Sequence, residues 1–169
     1  MTYAEYKKLH EEWETTDSIS RKEEIEEEIY DVALDLLSKL NKVYARWGRK
    51  FVDDDDYRTD RGGLSLVKDE LGYDGDLNVW LNYYDTWRYG GECDFNIKVP
   101  MKYLDEENML TLEADLRNKR FDELNVELFN AHKEIERLTE RKAKLQEEVG
   151  KLRKEIDQMA VQNGGSTNG

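Results

Sequence analysis

An α+β head followed by a long helix is the fold class that the 169-residue sequence predicts, and three observations predict it. Apolar residues recur at three- and four-residue steps over 20–47, which is helical spacing. They alternate singly over 77–83 and 95–99, which is strand spacing. From 121 to 159 they recur in heptads, interrupted by one charge at Lys142. All four tryptophans precede residue 90, so the core is placed in the first hundred or so residues. The predicted organisation is a head over 1–104, a long helix over 105–160 and a disordered tail over 161–169.

The N-terminal segment opens on Thr2-Tyr-Ala-Glu5, the pattern in which a hydroxyl and a carboxylate satisfy each other's orphan backbone donors. Tyr3, Tyr6, Leu9 and Trp13 then mark a short helix, and Thr15 to Ser18 breaks it. A second such pattern, Ser20-Arg-Lys-Glu23, predicts the start of a longer helix. Its apolar face is Ile25, Ile29, Val32, Leu36, Leu40, Val43 and Trp47, widened by Ala33, Leu37 and Tyr44, and Gly48 ends it.

In the middle, Leu77, Val79, Leu81 and Tyr83 alternate with Asn78, Trp80, Asn82 and Tyr84, and predict one strand. Phe95, Ile97 and Val99 predict another, with Gly90-Gly91 in the connection. Phe51-Val52 and Leu64–Val67 are candidates for further strands. Two strands are marginal in water, so the sheet is expected to pack one face on the 20–47 helix. Pro100 closes the head, and Asp105 can cap the helix that follows.

Leu138 placed at heptad position d gives d residues Leu124, Ala131, Leu138, Leu145, Leu152 and Met159. The a residues are Phe121, Leu128, Ile135, Lys142, Val149 and Ile156. One charge in a seam this long is the pattern of a coiled coil. A stripe over 126–160 would need a partner surface on the order of 50 Å long, which a domain of about 100 residues scarcely offers. The sequence therefore predicts a homodimer through this helix. β-Branched a residues over leucine d residues favour two strands. A parallel pair sets Glu148 against Arg153, with no repulsive g–e pair, whereas an antiparallel pair brings Glu127 near Glu155.

Charged residues make up 38% of the chain and the formal charge is −13, with 9 basic against 16 acidic residues over 1–56. Such a surface repels phosphate backbones, so direct nucleic-acid binding is not expected. It is attracted to basic protein surfaces, although solubility alone also accounts for it. One cysteine, Cys93, precludes an intrachain disulfide and a cysteine-cluster zinc site. The polar N-terminus and the lack of any long apolar run predict a cytoplasmic protein without a membrane span.

Candidate chemistry is sparse. Asp53, Asp54, Asp55 and Asp56, with Asp60 nearby, are carboxylates of the kind that hold Mg²⁺ or Ca²⁺ in a metal-dependent hydrolase. Four adjacent side chains diverge, however, so a solvated acidic loop is the favoured reading and no metal or other cofactor is assigned. Asp74-Gly-Asp76-Leu-Asn78 begins like a calcium loop but lacks its later Gly and Glu, and reads as a turn. His10 and His132 lack partners at catalytic spacing and are read as surface residues. Cys93 reads as a half-buried strand thiol. Trp80, Tyr84, Trp87 and Arg88 have the composition of a protein-binding hot spot if their sheet face is uncovered. The competing expectation is that the 2–14 helix covers that face through Trp13.

Tyr83-Tyr-Asp-Thr-Trp-Arg-Tyr-Gly-Gly-Glu92, followed by Ile97-Lys-Val-Pro-Met-Lys-Tyr-Leu104, resembles a pattern in small acidic phage-encoded proteins of unassigned function. The resemblance spans about 25 residues. It implies a phage product in the host cytoplasm, a non-enzymatic inhibitor of host defence or of a nucleic-acid-handling complex, anti-CRISPR-like in type. The sequence reading is thus a dimer binding a host protein of basic surface through the acidic and aromatic residues. The alternative is a coiled-coil structural or adaptor protein.

Overall fold

The computed structural model describes residues 1–53, 63–71, 77–86 and 90–164. Among them the order is α1 (Tyr3–Thr15), α2 (Ile19–Arg46), β1 (Gly63–Leu66), β2 (Val79–Thr86), β3 (Glu92–Val99) and α3 (Glu106–Gly164). Short 3₁₀ turns occupy Lys68–Glu70 and Met101–Leu104. Two compact units result, Met1–Arg120 and Phe121–Gly169.

The first unit is an antiparallel sheet in the order β1-β2-β3 packed on α2. Val79, Leu81 and Tyr83 of β2 and Ile97 and Val99 of β3 point to one face and are buried, as pleating at period two requires. Against them α2 buries Ile25, Ile29, Ala33, Leu36, Leu37, Leu40 and Val43. The Tyr30 hydroxyl donates to the Leu64 carbonyl at 2.7 Å and ties α2 to β1. The first turns of α3 belong to this unit, with Leu116 buried and Met109 and Leu112 packed on the core. Arg46 of α2 forms an ion pair with Glu113 of α3.

Helix boundaries follow from local chemistry. At the start of α1, the Thr2 hydroxyl accepts from the Glu5 amide at 3.2 Å, and the Glu5 carboxylate accepts from the Thr2 amide at 2.7 Å. That reciprocal pair holds the Glu5 carboxyl below its ordinary pKa. The end of α2 is a Schellman turn. Arg49 N–H donates to the Tyr44 carbonyl and Gly48 N–H to the Ala45 carbonyl, both at 3.0 Å, while Gly48 takes φ 69°.

Several expectations are corrected. Helix α2 is capped by Ser18, whose hydroxyl accepts from the Arg21 amide at 3.3 Å, rather than by Ser20. With this start, two residues earlier, Arg21 bridges α1 and α2: its guanidinium donates to both carboxylate oxygens of Glu12, at 2.7 and 3.2 Å, and to Glu24. Phe51 and Val52 form a bend rather than a strand, with the Phe51 ring edge-on to Tyr44 at 5.2 Å. The third strand is instead β1. Leu77 precedes β2 and sits at φ 51°, a left-handed conformation that costs a leucine about 1–2 kcal/mol. At Asp105 the side chain accepts from the Tyr3 amide at 3.1 Å and so joins the start of α3 to α1. The helix runs on to Gly164, past the expected end at residue 160, and residues 165–169 lie outside the described chain.

In the second unit, every residue from 121 to 161 is exposed except Gly150. The ten large apolar seam residues from Phe121 to Met159 have 46% to 64% of their surface free. No helix among the described residues is long and apolar enough to cross a membrane.

Candidate protein-binding surfaces

Two surfaces carry the residues that the sequence singles out. The first is the outer face of the sheet. Register places Trp80 opposite Lys98, Asn82 opposite Asn96 and Tyr84 opposite Asp94. Because Val79, Leu81 and Tyr83 face the core, these six side chains share the other face. Tyr84 is 48% exposed; Asp94, Asn96 and Lys98 are exposed as well, and Trp80 and Asn82 are half-buried. Hydrogen bonds order the face: the Asn82 amide donates to Asp94 at 2.6 Å and to Asn96 at 3.1 Å. The Lys98 ammonium lies 5.5 Å from the Trp80 ring centre, within cation–π range.

The expectation that α1 covers this face through Trp13 is corrected. Trp13 turns to α2, where its indole N–H donates to Glu26 at 3.2 Å, and Glu26 also pairs with Lys68. One carboxylate thereby fastens α1, α2 and the turn after β1. Helix α1 packs on α2 and on the Met101–Leu104 turn.

Asp53 is exposed beside a 370 Å³ groove that Phe51, Val52, Phe95 and Ile97 line together with Lys98. Asp54, Asp55, Asp56 and Asp60, the Asp74–Asp76 turn, and Trp87 and Arg88 lie outside the described residues. Among the described residues, no three or more His, Cys, Asp or Glu side chains are placed to share a metal ion.

His10 departs from its surface assignment. It is 3% exposed, held between the rings of Tyr6 and Trp13 at centroid separations of 6.1 and 6.0 Å. Its spacing, four after Tyr6 and three before Trp13, puts it on the apolar face of α1, and that signal was present in the sequence. The Tyr6 hydroxyl and His10 Nε2 are buried without hydrogen-bond partners. Burial pushes the Tyr6 phenol well above its ordinary pKa. His132 is exposed, with Nδ1 3.0 Å from the Leu128 carbonyl. Cys93 is half-buried on β3.

The second surface is the α3 stripe. Phe121, Leu124, Leu128, Ile135, Leu138, Leu145, Val149, Leu152 and Ile156 are all exposed on this single helix, and Lys142 lies in line with them. Leu138, Arg141, Lys142, Leu145, Gln146, Val149, Gly150 and Arg153 line one groove along it. A groove on one helix is open on its outer side and cannot enclose a small molecule. Beyond the a and d positions, Val126 and Phe129 are exposed too. No known protein family, curated protein or solved structure matches the chain.

Proposed function

We propose that the protein is a non-enzymatic homodimer that binds another protein, pairing through the α3 seam and offering the outer sheet face to its target. The carrying observation is the exposed apolar stripe from Phe121 to Met159. Contiguous apolar patches beyond a few hundred Å² are rare on monomers and mark association sites. Helices also draw most of their stability from burying an apolar face, and from Phe121 to Val161 α3 buries none of its apolar side chains. Heptad regularity favours a helix as the occupant, and an identical parallel helix supplies matching a and d layers with Glu148 against Arg153.

The target contacts are Trp80, Tyr84 and Asp94, together with Asp53. Aromatic groups beside Asp94, with Asp53 at the neighbouring groove and a chain of formal charge −13, suit a partner with a basic surface, such as a nucleic-acid-handling protein, and fit the reading as an inhibitor of a host defence complex. Two heads on one particle raise apparent affinity where both engage.

Sedimentation equilibrium of the full chain tests the pairing. The expected species has twice the 20.0 kDa chain mass at micromolar concentration; a single-chain mass at high micromolar concentration would refute it. For the head, a target captured by the wild-type chain should be lost with Trp80→Ala/Tyr84→Ala and weaken as salt rises. Retention by the double variant rejects the sheet face as the docking surface.

A further inference from the structure

The α3 groove carries a charge pattern at odds with the rest of the chain. The protein is formally −13, yet the groove is lined by Arg141, Lys142 and Arg153 with the amide of Gln146, and by no carboxylate. Nor do the turns above and below compensate. Residues three and four away from Arg141 are Arg137, Leu138, Lys144 and Leu145; those from Lys142 are Leu138, Thr139, Leu145 and Gln146. Neighbouring cations are served differently: Arg137 pairs with Glu134 at 2.8 Å and Lys151 with Glu147 at 2.7 Å. Arg141 and Lys142 have no such acid within reach on their own helix.

Pairing sharpens the contrast. In the parallel homodimer, on which this inference rests, Arg153 meets Glu148 of the second copy. Arg141 meets only Gln146, and Lys142 meets the other Lys142. A lysine at an a position lays its stem along the seam leucines and carries its ammonium out to the rim. There it lies beside Arg141 of the opposite strand. Each side of the layer then joins a planar guanidinium that bonds two oxygens at once, an ammonium and a carboxamide donor. Two like charges near a low-dielectric seam repel unless an anion sits between them.

We infer that the Arg141–Lys142–Gln146 layer of the paired helix binds a multivalent oxyanion of the phosphate or sulfate type, one on each side of the two-fold axis. Occupancy then tightens the dimer, because the anion binds the pair and not the separated strands.

The experiment is sedimentation equilibrium of the full chain with and without about 10 mM sodium phosphate, at ionic strength held constant with sodium chloride. Phosphate should lower the dimer dissociation constant of the wild type about tenfold, as for two sites per dimer with the ligand at about twice its own Kd. Lys142→Ile completes the apolar seam, so it should dimerise more tightly without phosphate and respond less than about twofold. Arg141→Gln should lose the response and still dimerise. A wild-type dimer indifferent to phosphate overturns the inference and leaves the pairing intact, and so does an equal response in all three proteins. Absence of dimer in every buffer overturns both.

Discussion

Leu40 and Leu145 occupy equivalent places on the apolar stripes of two amphipathic helices, yet one is 0% exposed and the other 51%. The first unit closes on itself: the apolar face of α2 is covered by the inner face of the sheet together with α1 and the Met101–Leu104 turn. The second unit is a single helix, and a single helix has no inside. Similar patterning therefore carries two messages. Where a second layer is near in sequence the stripe becomes core, and where none is present it stays exposed.

Concentration dependence breaks or confirms that contrast most sharply. Leu138→Asp, at the centre of the seam, should abolish dimerisation and strip helix from 121–161, a loss of at least about a hundredfold in association, since burying an unpaired carboxylate costs several kcal/mol. Circular dichroism at two protein concentrations reads it: the wild-type melting temperature of the second unit rises with concentration, and the variant's does not. The head should be untouched.

Leu36→Ala is the mirror experiment. It opens a cavity in a fully buried site and should cost about 2–5 kcal/mol of head stability, independent of concentration, in denaturant titration followed by tryptophan emission. Should the loss depend on concentration instead, the head is itself part of the interface. Gly48→Ala is smaller. Nothing lies within 4 Å of the added methyl, so only the positive φ is penalised, at about 1 kcal/mol. Tyr6→Phe is smallest and of opposite sign. Its hydroxyl is buried without a partner, so removing it should leave stability unchanged or raise it by up to about 1 kcal/mol. A clear destabilisation would mean that the hydroxyl is satisfied.

How legible all this was in the sequence depends on the range of the interaction. The Thr2–Glu5 box, the α2 stripe, the Gly48 stop and the β2 and β3 alternation are local, and the structure has them as read. Errors arose where two local solutions compete. Ser18 and Ser20 can both cap a helix, and the reach of Arg21 to Glu12 on α1 accompanies the earlier start. Phe51-Val52 and Leu64–Leu66 both favour strand, and only pairing with β2 separates them. The destination of Trp13 was hidden for the same reason, because its hydrogen-bond acceptor, Glu26, reads in sequence as one more solvated acid in a run of them.

If the outer sheet face binds a target as proposed, the bridge from Asn82 to Asp94 and Asn96 bears on the selectivity of that binding. Those three side chains have already surrendered their rotational freedom during folding, so a target meets a fixed arrangement and pays little to order it. Rigid surfaces of this kind discriminate by fit. A near-miss target cannot be accommodated by rotating an amide, because the amide is already committed to its neighbours.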